Sequence, residues 1–353
     1  MPRRITLREV EALAMGGAIL GGGGGGSPEA GRSEGRLALE IGSVELWSVE
    51  EADPHWLVVT CAALGAPTQR GGTGPAHFIR AALAMREAGV EYQGLIAAEN
   101  GGRNSFAGWV VAAALGLPVV DAPGDGRAHP TALMGSMGLQ RTDYHSVKVG
   151  VTEGSTVVAR GTLESTGALV RAQASHMEAM VAMVRDPVAV SYAAQHGAPG
   201  AISQAISLGE AYLGAGSPTG RLDAVADYLG GEVLCEGRVV EKRAQVRGGF
   251  DVGHLVLEDG GGAWELDYIN EYMLVERKGE RLHTFPDLIA TFNQEGEPVT
   301  SAAVEEGMRL YVLVAPKEKI LVGDGNRYPE AYLPLEEALG KPLRPYLEGF
   351  LRA

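Results

Sequence analysis

Two carboxylates stand directly behind apolar, strand-like runs: Glu99 after Gly94-Leu-Ile-Ala-Ala98 and Asp121 after Pro118-Val-Val120. An acid in that position is costly to bury unless something pairs with it. Open α/β sheets bind ligands beyond the carboxyl ends of their strands. Two acids on adjacent ends would make an acid/base pair or part of a metal site. Each also fits a plainer role, capping the helix or turn that follows. His129 shares the loop Asp121-Ala-Pro-Gly-Asp-Gly-Arg-Ala-His-Pro130 with Asp121 and Asp125, and is the histidine that stands out as a proton carrier. The polar runs Gly65-Ala-Pro-Thr68 and Glu99-Asn-Gly-Gly-Arg-Asn104 follow two other strand ends.

Six consecutive glycines, Gly21 to Gly26, contain GxGxxG only in the sense that any glycine run does. A dinucleotide fingerprint needs a strand before it, whereas a helix precedes this run. No Gly-Lys-Ser/Thr is present either, so no nucleotide cofactor is expected. Glycine backbone does let N–H groups approach an anion or a polarised oxygen closely; a plain linker is the alternative. The histidines show no HExxH, HxH or CxxC-type metal spacing. His77 and His176 fall at helical positions where a satisfied structural histidine is the ordinary outcome. Cys61 ends a strand and is a nucleophile candidate, although buried cysteine generally acts as a small hydrophobe. Cys235 reads as packing, and Ser203 as a helix-capping serine.

The elements that must hold these groups can be traced from pattern. Thr6 and Glu9 form a capping-box pattern ahead of a helix running to Leu20. Strands are expected near 44–47, 56–61, 94–98 and 118–120, with helices at 75–88 and 105–115. That alternation implies βαβ units. A hairpin is expected at 147–159, then helices at 168–185, 202–213 and 222–229. Short strands follow at 232–235, 238–246, 250–257, 263–269, 272–276, 281–284, 288–292 and 309–314. The expected organisation is an α/β domain with a mainly parallel sheet and the Gly-rich loop (1–165). A helical lead-in and a β-rich domain, a sandwich or partly closed barrel, follow (166–353).

Composition narrows the partners. The 353 residues carry 30 basic and 44 acidic side chains, a net charge of −14 that repels phosphate backbones and anionic lipid. Nucleic acid and membrane surfaces are excluded as expected partners, leaving a small-molecule substrate; a homo-oligomer is the base-rate expectation. Two cysteines make no disulfide framework and fit a reducing cytoplasm. No apolar window reaches the length of a membrane span. The 51 glycines are roughly twice the usual share of about 7%.

The motifs fall in an order that resembles a known family. They are Gly21–Pro28, Gly65–Thr68, Glu99–Ser105, Asp121–Pro130, Gly200-Ala-Ile-Ser-Gln-Ala205, Ile269-Asn-Glu271 and Phe285-Pro-Asp-Leu-Ile289. Together they look like the S-methyl thiohydantoin desulfurase family, also described as hydantoinase-like, from about Leu7 to Leu335. The resemblance implies an α/β domain followed by a β-rich one. It also implies hydrolysis of the C–S bond of an S-methylated thiohydantoin, giving a hydantoin and methanethiol. The resemblance implies zinc as the cofactor, with no ligands placed by motif. Two departures stand out: His129 replaces an aromatic residue typical of the family, and the family's Glu-Lys pair is missing from Gln69-Arg-Gly-Gly-Thr-Gly74.

That chemistry needs an activated water, donors for polarised ring atoms and a proton for the leaving thiolate. Asp121 or Glu99 is expected as base or metal ligand, and His129 as proton donor. Asn100 and Asn104 would bind ring N–H and C=O groups, with Thr68 beside them. The backbone at Gly23, Gly24 and Gly25 would meet a ring oxygen or carboxylate tail. Asn270, Glu271 and Asp287 would close the site from the β-rich domain. A different cyclic-amide hydrolase, closer to hydantoinase or oxoprolinase, and a non-catalytic binding subunit remain the alternatives.

Overall fold

The computed structural model describes residues 1–64, 73–247 and 250–352. Among the described residues, two eight-stranded sheets organise the fold. The first contains β1 (Arg3–Arg4), β2 (Glu45–Trp47), β3 (Leu57–Leu64), β4 (Gly94–Ala97), β5 (Val119–Val120), β6 (Ser146–Val151), β7 (Thr156–Gly161) and β8 (Val181–Ala189). Their spatial order is β1-β2-β5-β4-β3-β8-β6-β7. Pairs β2–β5, β5–β4 and β4–β3 are parallel, as the alternating pattern predicts, and the flanking pairs are antiparallel. The sheet is therefore mixed.

The second sheet contains β9 (Glu232–Arg247), β10 (Phe250–Asp259), β11 (Gly262–Ile269), β12 (Glu271–Arg277), β13 (Glu280–Thr284), β14 (Leu288–Phe292), β15 (Pro298–Val299) and β16 (Arg309–Ala315). It is wholly antiparallel, in the order β13-β12-β11-β10-β9-β16-β14-β15, and curls until β12 touches β14, a half-barrel. The helices are α1 (Leu7–Leu20), α2 (Pro28–Ile41), α3 (Pro75–Glu87), α4 (Trp109–Leu115), α5 (Leu163–Met177), α6 (Val190–His196), α7 (Ala201–Gly214), α8 (Pro218–Leu229) and α9 (Leu333–Leu339). Among the described residues no helix is long and apolar enough to cross a membrane.

The capping box forms as written: Thr6 Oγ1 accepts from Glu9 N–H, and the Thr6 N–H donates to Glu9 Oε2 at 2.7 Å. Helix α1 is buried along most of its length because it packs on α7 at glycine contacts. A Cβ on Gly16 would stand 1.8 Å from the Ala205 carbonyl oxygen, and one on Gly209 1.8 Å from that of Ala12. Part of the glycine excess thus buys close helix–helix approach. One apolar cluster joins α1 and α7 to the first sheet and to Leu288, Phe292 and Leu313 of the second. The two sheets consequently share a core.

The structure departs from the local sequence pattern at two places. Helix α2 was hidden by Gly31 and Gly35, which lower helix propensity. Ser27 nevertheless caps it at Ala30 N–H and Pro28 starts it, while both glycines lie against the Phe106 ring. The helix expected at 168–185 ends at Met177, and Val181–Ala189 is a strand instead. Pro187 and the valines around it favour strand over helix. This strand, from beyond residue 165, sits between β3 and β6 in the interior of the first sheet.

Candidate active site

Glu99 leaves β4 two residues after Ala97 and is 6% exposed. Asn104 Nδ2 donates to its Oε1 at 2.6 Å, and the His129 backbone N–H donates to its Oε2 at 3.1 Å. Burial pushes its carboxyl up to about 8 despite those hydrogen bonds. The His129 imidazole lies alongside, with Nε2 3.1 Å from Glu99 Oε2. Among the described residues neither ring nitrogen has a hydrogen-bond partner. Burial and then the Arg185 charge hold His129 down at about 3, so the ring is neutral.

The second acid is not Asp121. Leu95 pairs with Val119 between β4 and β5, so Asp121 leaves its strand two residues earlier than Glu99 leaves its own. Its carboxylate turns to the start of α7, accepting from Ile202 N–H at 2.8 Å, Ser203 N–H at 3.1 Å and Ser203 Oγ at 2.6 Å. Asp121 is a helix cap supplied from far away in sequence, and it does not border the cavity described below. The expected convergence of Glu99 and Asp121 is therefore corrected. Asp121→Ala should cost about 1–2 kcal/mol of stability, the usual worth of a cap. Denaturant unfolding should show that loss, while turnover per folded molecule stays near wild type; a collapse of kcat in the folded variant would return Asp121 to the chemistry.

The second buried acid at the cavity comes from the other sheet. Glu271 begins β12, is 2% exposed, and its Oε2 has no partner among the described residues. Burial and the Glu99 charge drive its carboxyl well above the ordinary range, with Arg127 opposing. Gly24 is what admits it, since a Cβ there would stand 1.9 Å from Glu271 Oε1. Asn270, just before it, adopts a left-handed conformation with φ 56° and is held by Ser301 Oγ on its carbonyl and Asp251 N–H on its Oδ1.

The glycine run stitches the halves together more than it offers donors. The Gly22 carbonyl accepts from Tyr272 N–H at 2.8 Å and the Gly23 carbonyl from Ser301 N–H at 2.9 Å. The Gly25 carbonyl accepts from Arg103 and Asn104 N–H at 3.0 and 3.1 Å. The loop passes between Arg127 Nη2, beside Gly22, and Glu271, beside Gly24. Beyond it opens a cavity of about 590 Å³ bordered by Gly23, Gly24, Gly25, Glu99, Asn104, His129, Arg185, Asn270 and Glu271. Its size suits a small organic ligand.

Other expected residues lie elsewhere. Asn100 is spent inside the fold, its Nδ2 donating to the Gly126 and Ala201 carbonyls and its Oδ1 accepting from Ser105 Oγ. It cannot also hold a ring. Asp287 pairs with His283 and Lys317 and does not border the cavity. Thr68 lies outside the described residues. Asp125 accepts from Gly126 and Gly323 N–H and Asn326 Nδ2, tying its loop to the 323–326 segment. Cys61 borders the cavity, but burial raises its thiol to about 12, far from a thiolate.

Arg185 was missed because the stretch was read as helix; its signal is an Arg-Asp pair inside the apolar run Val181–Val190. It is 3% exposed and borders the cavity.

The residues present do not fit zinc. Among the described residues no three His, Cys, Asp or Glu side chains are gathered to hold a metal ion. Residues 65–72 contain none of those types, and both Glu99 oxygens already accept hydrogen bonds.

Comparison with known proteins agrees with this architecture. The S-Me-THD-like N-terminal domain matches residues 8–161 and the S-Me-THD-like C-terminal domain residues 162–324. The chain belongs to the S-Me-THD-like family. No curated protein matches it. The crystal structure of a protein from Chromobacterium violaceum is similar with a TM-score of 0.72, covering 95% of this chain and 96% of that one at 21% identity. That likeness speaks to the fold. Within the family frame, the acid pair from the two sheets, Glu99 and Glu271, spans the two matched segments.

Proposed function

We propose that this S-Me-THD-like protein is a hydrolase that cleaves the C–S bond of an S-methyl thiohydantoin, giving a hydantoin and methanethiol. The observation that supports this reading is a pair of buried carboxyls, one from each sheet, both with raised proton affinity, at one cavity. Two acids kept apart in affinity are suited to opposite proton tasks.

Ionised Glu99 takes a proton from water as the water oxygen bonds to the ring carbon bearing the methylthio group. The C=N electron pair moves to the ring nitrogen, which receives the proton of Glu271. In the collapse, C=O forms and the C–S bond breaks. The departing sulfur takes the proton held by Glu99, and the hydroxyl proton returns to Glu271. One water is consumed and both acids are reset. Asn104, donating to Glu99, keeps the base aimed. Neutral His129, which borders the cavity, is a hydrogen-bond partner for the ring rather than the proton donor expected of it, since its affinity for a proton is too low.

The test is methanethiol release, read with a thiol reagent across S-methyl thiohydantoins, hydantoins and oxoproline. Thiol should appear from the first class alone. Because Glu99 must be ionised and Glu271 protonated, kcat/KM should climb with pH through about 8 and fall once the second acid ionises. Ring opening of hydantoin or oxoproline without thiol release would replace this reading with a cyclic-amide hydrolase.

A further inference from the structure

Arg185 is held more firmly than a cavity wall requires. Its Nη1 donates to Asp186 Oδ2 at 2.9 Å and its Nη2 to the Gly135 carbonyl at 3.3 Å. Asp186 is fully buried, and also accepts from Lys148 Nζ at 2.5 Å and Ser146 Oγ at 2.6 Å. Its backbone is left-handed, at φ 50°. A non-glycine residue in that region is strained and persists where its surroundings over-determine it. Lys148 and Arg185 together more than balance the one carboxylate. With two guanidinium nitrogens pinned, Nε–H remains buried and, among the described residues, without a partner on a residue that borders the cavity. Such an orphaned donor calls for an acceptor.

We infer that Arg185 is a catalytic residue, donating Nε–H to the carbonyl oxygen of the substrate ring, and that Asp186 and Lys148 are positioning residues that aim it. This rests on the hydrolase reading above. In the tautomer whose C=N nitrogen is bonded to the ring carbonyl carbon, water attack sends the electron pair onto that nitrogen. Conjugation spreads the charge to the carbonyl oxygen until Glu271 delivers its proton. A fixed cationic donor at that oxygen stabilises the transition state more than the ground state. The same charge favours ionised Glu99 and neutral His129.

Two measurements on wild type, Arg185→Lys, Arg185→Gln and Asp186→Asn test the assignment: thiol release, and hydantoin affinity by calorimetry. Arg185→Lys should lower kcat by about 10²–10³-fold, the usual loss for one oxyanion donor, with a much smaller change in KM. Arg185→Gln should also move the Glu99 limb of the pH profile upward, a shift that a packing role would not produce. Asp186→Asn should lower kcat and weaken hydantoin binding while Arg185 is still present. Wild-type turnover that Arg185→Lys and Arg185→Gln both retain would overturn the inference and leave the hydrolase reading standing. Without wild-type thiol release that reading falls, and hydantoin affinity decides: a loss in the Arg185 variants supports the donor, while unchanged or absent binding overturns it. Should one Arg185 variant fail to fold, the other carries the comparison.

Discussion

Glu271→Gln should lower kcat by about 10²–10⁴-fold, the span expected when a positioned general acid is lost. Glutamine fills the same space beside Gly24 but has no ionisable proton to give to the ring nitrogen or recover from the intermediate. The fold should tolerate the change, because it replaces a buried acid whose charged form is disfavoured by desolvation and by Glu99. KM should change far less than kcat, since the lost interaction belongs to the proton-transfer step. Initial-rate thiol release across substrate concentration, with a thermal melt confirming the folded state, is the measurement. A variant keeping wild-type kcat would remove Glu271 from the chemistry and leave Glu99 without its counterpart.

Glu99→Gln should stabilise the protein, and more so as pH rises. The sign follows from proton binding. The native carboxyl titrates near 8, against an ordinary 4.5 in the unfolded chain. Between those values the native state binds more protons than the unfolded one, so this group's contribution to stability falls as pH rises from 4.5 towards 8 and is flat beyond. Each unit of difference corresponds to about 1.4 kcal/mol, so the relief at alkaline pH should reach a few kcal/mol. Denaturant unfolding of wild type and variant at pH 5 and pH 8.5 would read it, with the gap widest at the higher pH. An equal gap at both would mean that Glu99 is not held against its charge. The same variant should lose turnover, the familiar exchange of stability for activity at a site that stores unfavourable charge.

Local pattern carried most of the elements. Thr6 with Glu9 announced α1, the apolar run at 57–61 announced a buried strand, and turn residues from 231 onward announced the antiparallel sheet. It failed where packing overrode propensity: glycines at 31 and 35 belong to a helix because an aromatic ring lies on them, and 181–189 is a strand because it pairs with β3 and β6 on its two sides. Candidate residues fared likewise. Glu99, His129, Asn104, Asn270 and Glu271 were all marked by their place in polar loops, and all border one cavity.

Which acid faces which was beyond reach of residue order alone. Asp121 and Glu99 look equivalent along the chain, each a carboxylate behind an apolar run. Strand register separates them, delivering one to the exposed N–H groups of α7 and the other to the cavity, because a buried carboxylate settles on the nearest unpaired donors. The partner of Glu99 stands in another sheet, brought across by a glycine turn without side chains. Arg185 owes its role to a neighbour held in strained backbone. Such pairings arise from three-dimensional closure, which residue type and spacing constrain but do not specify.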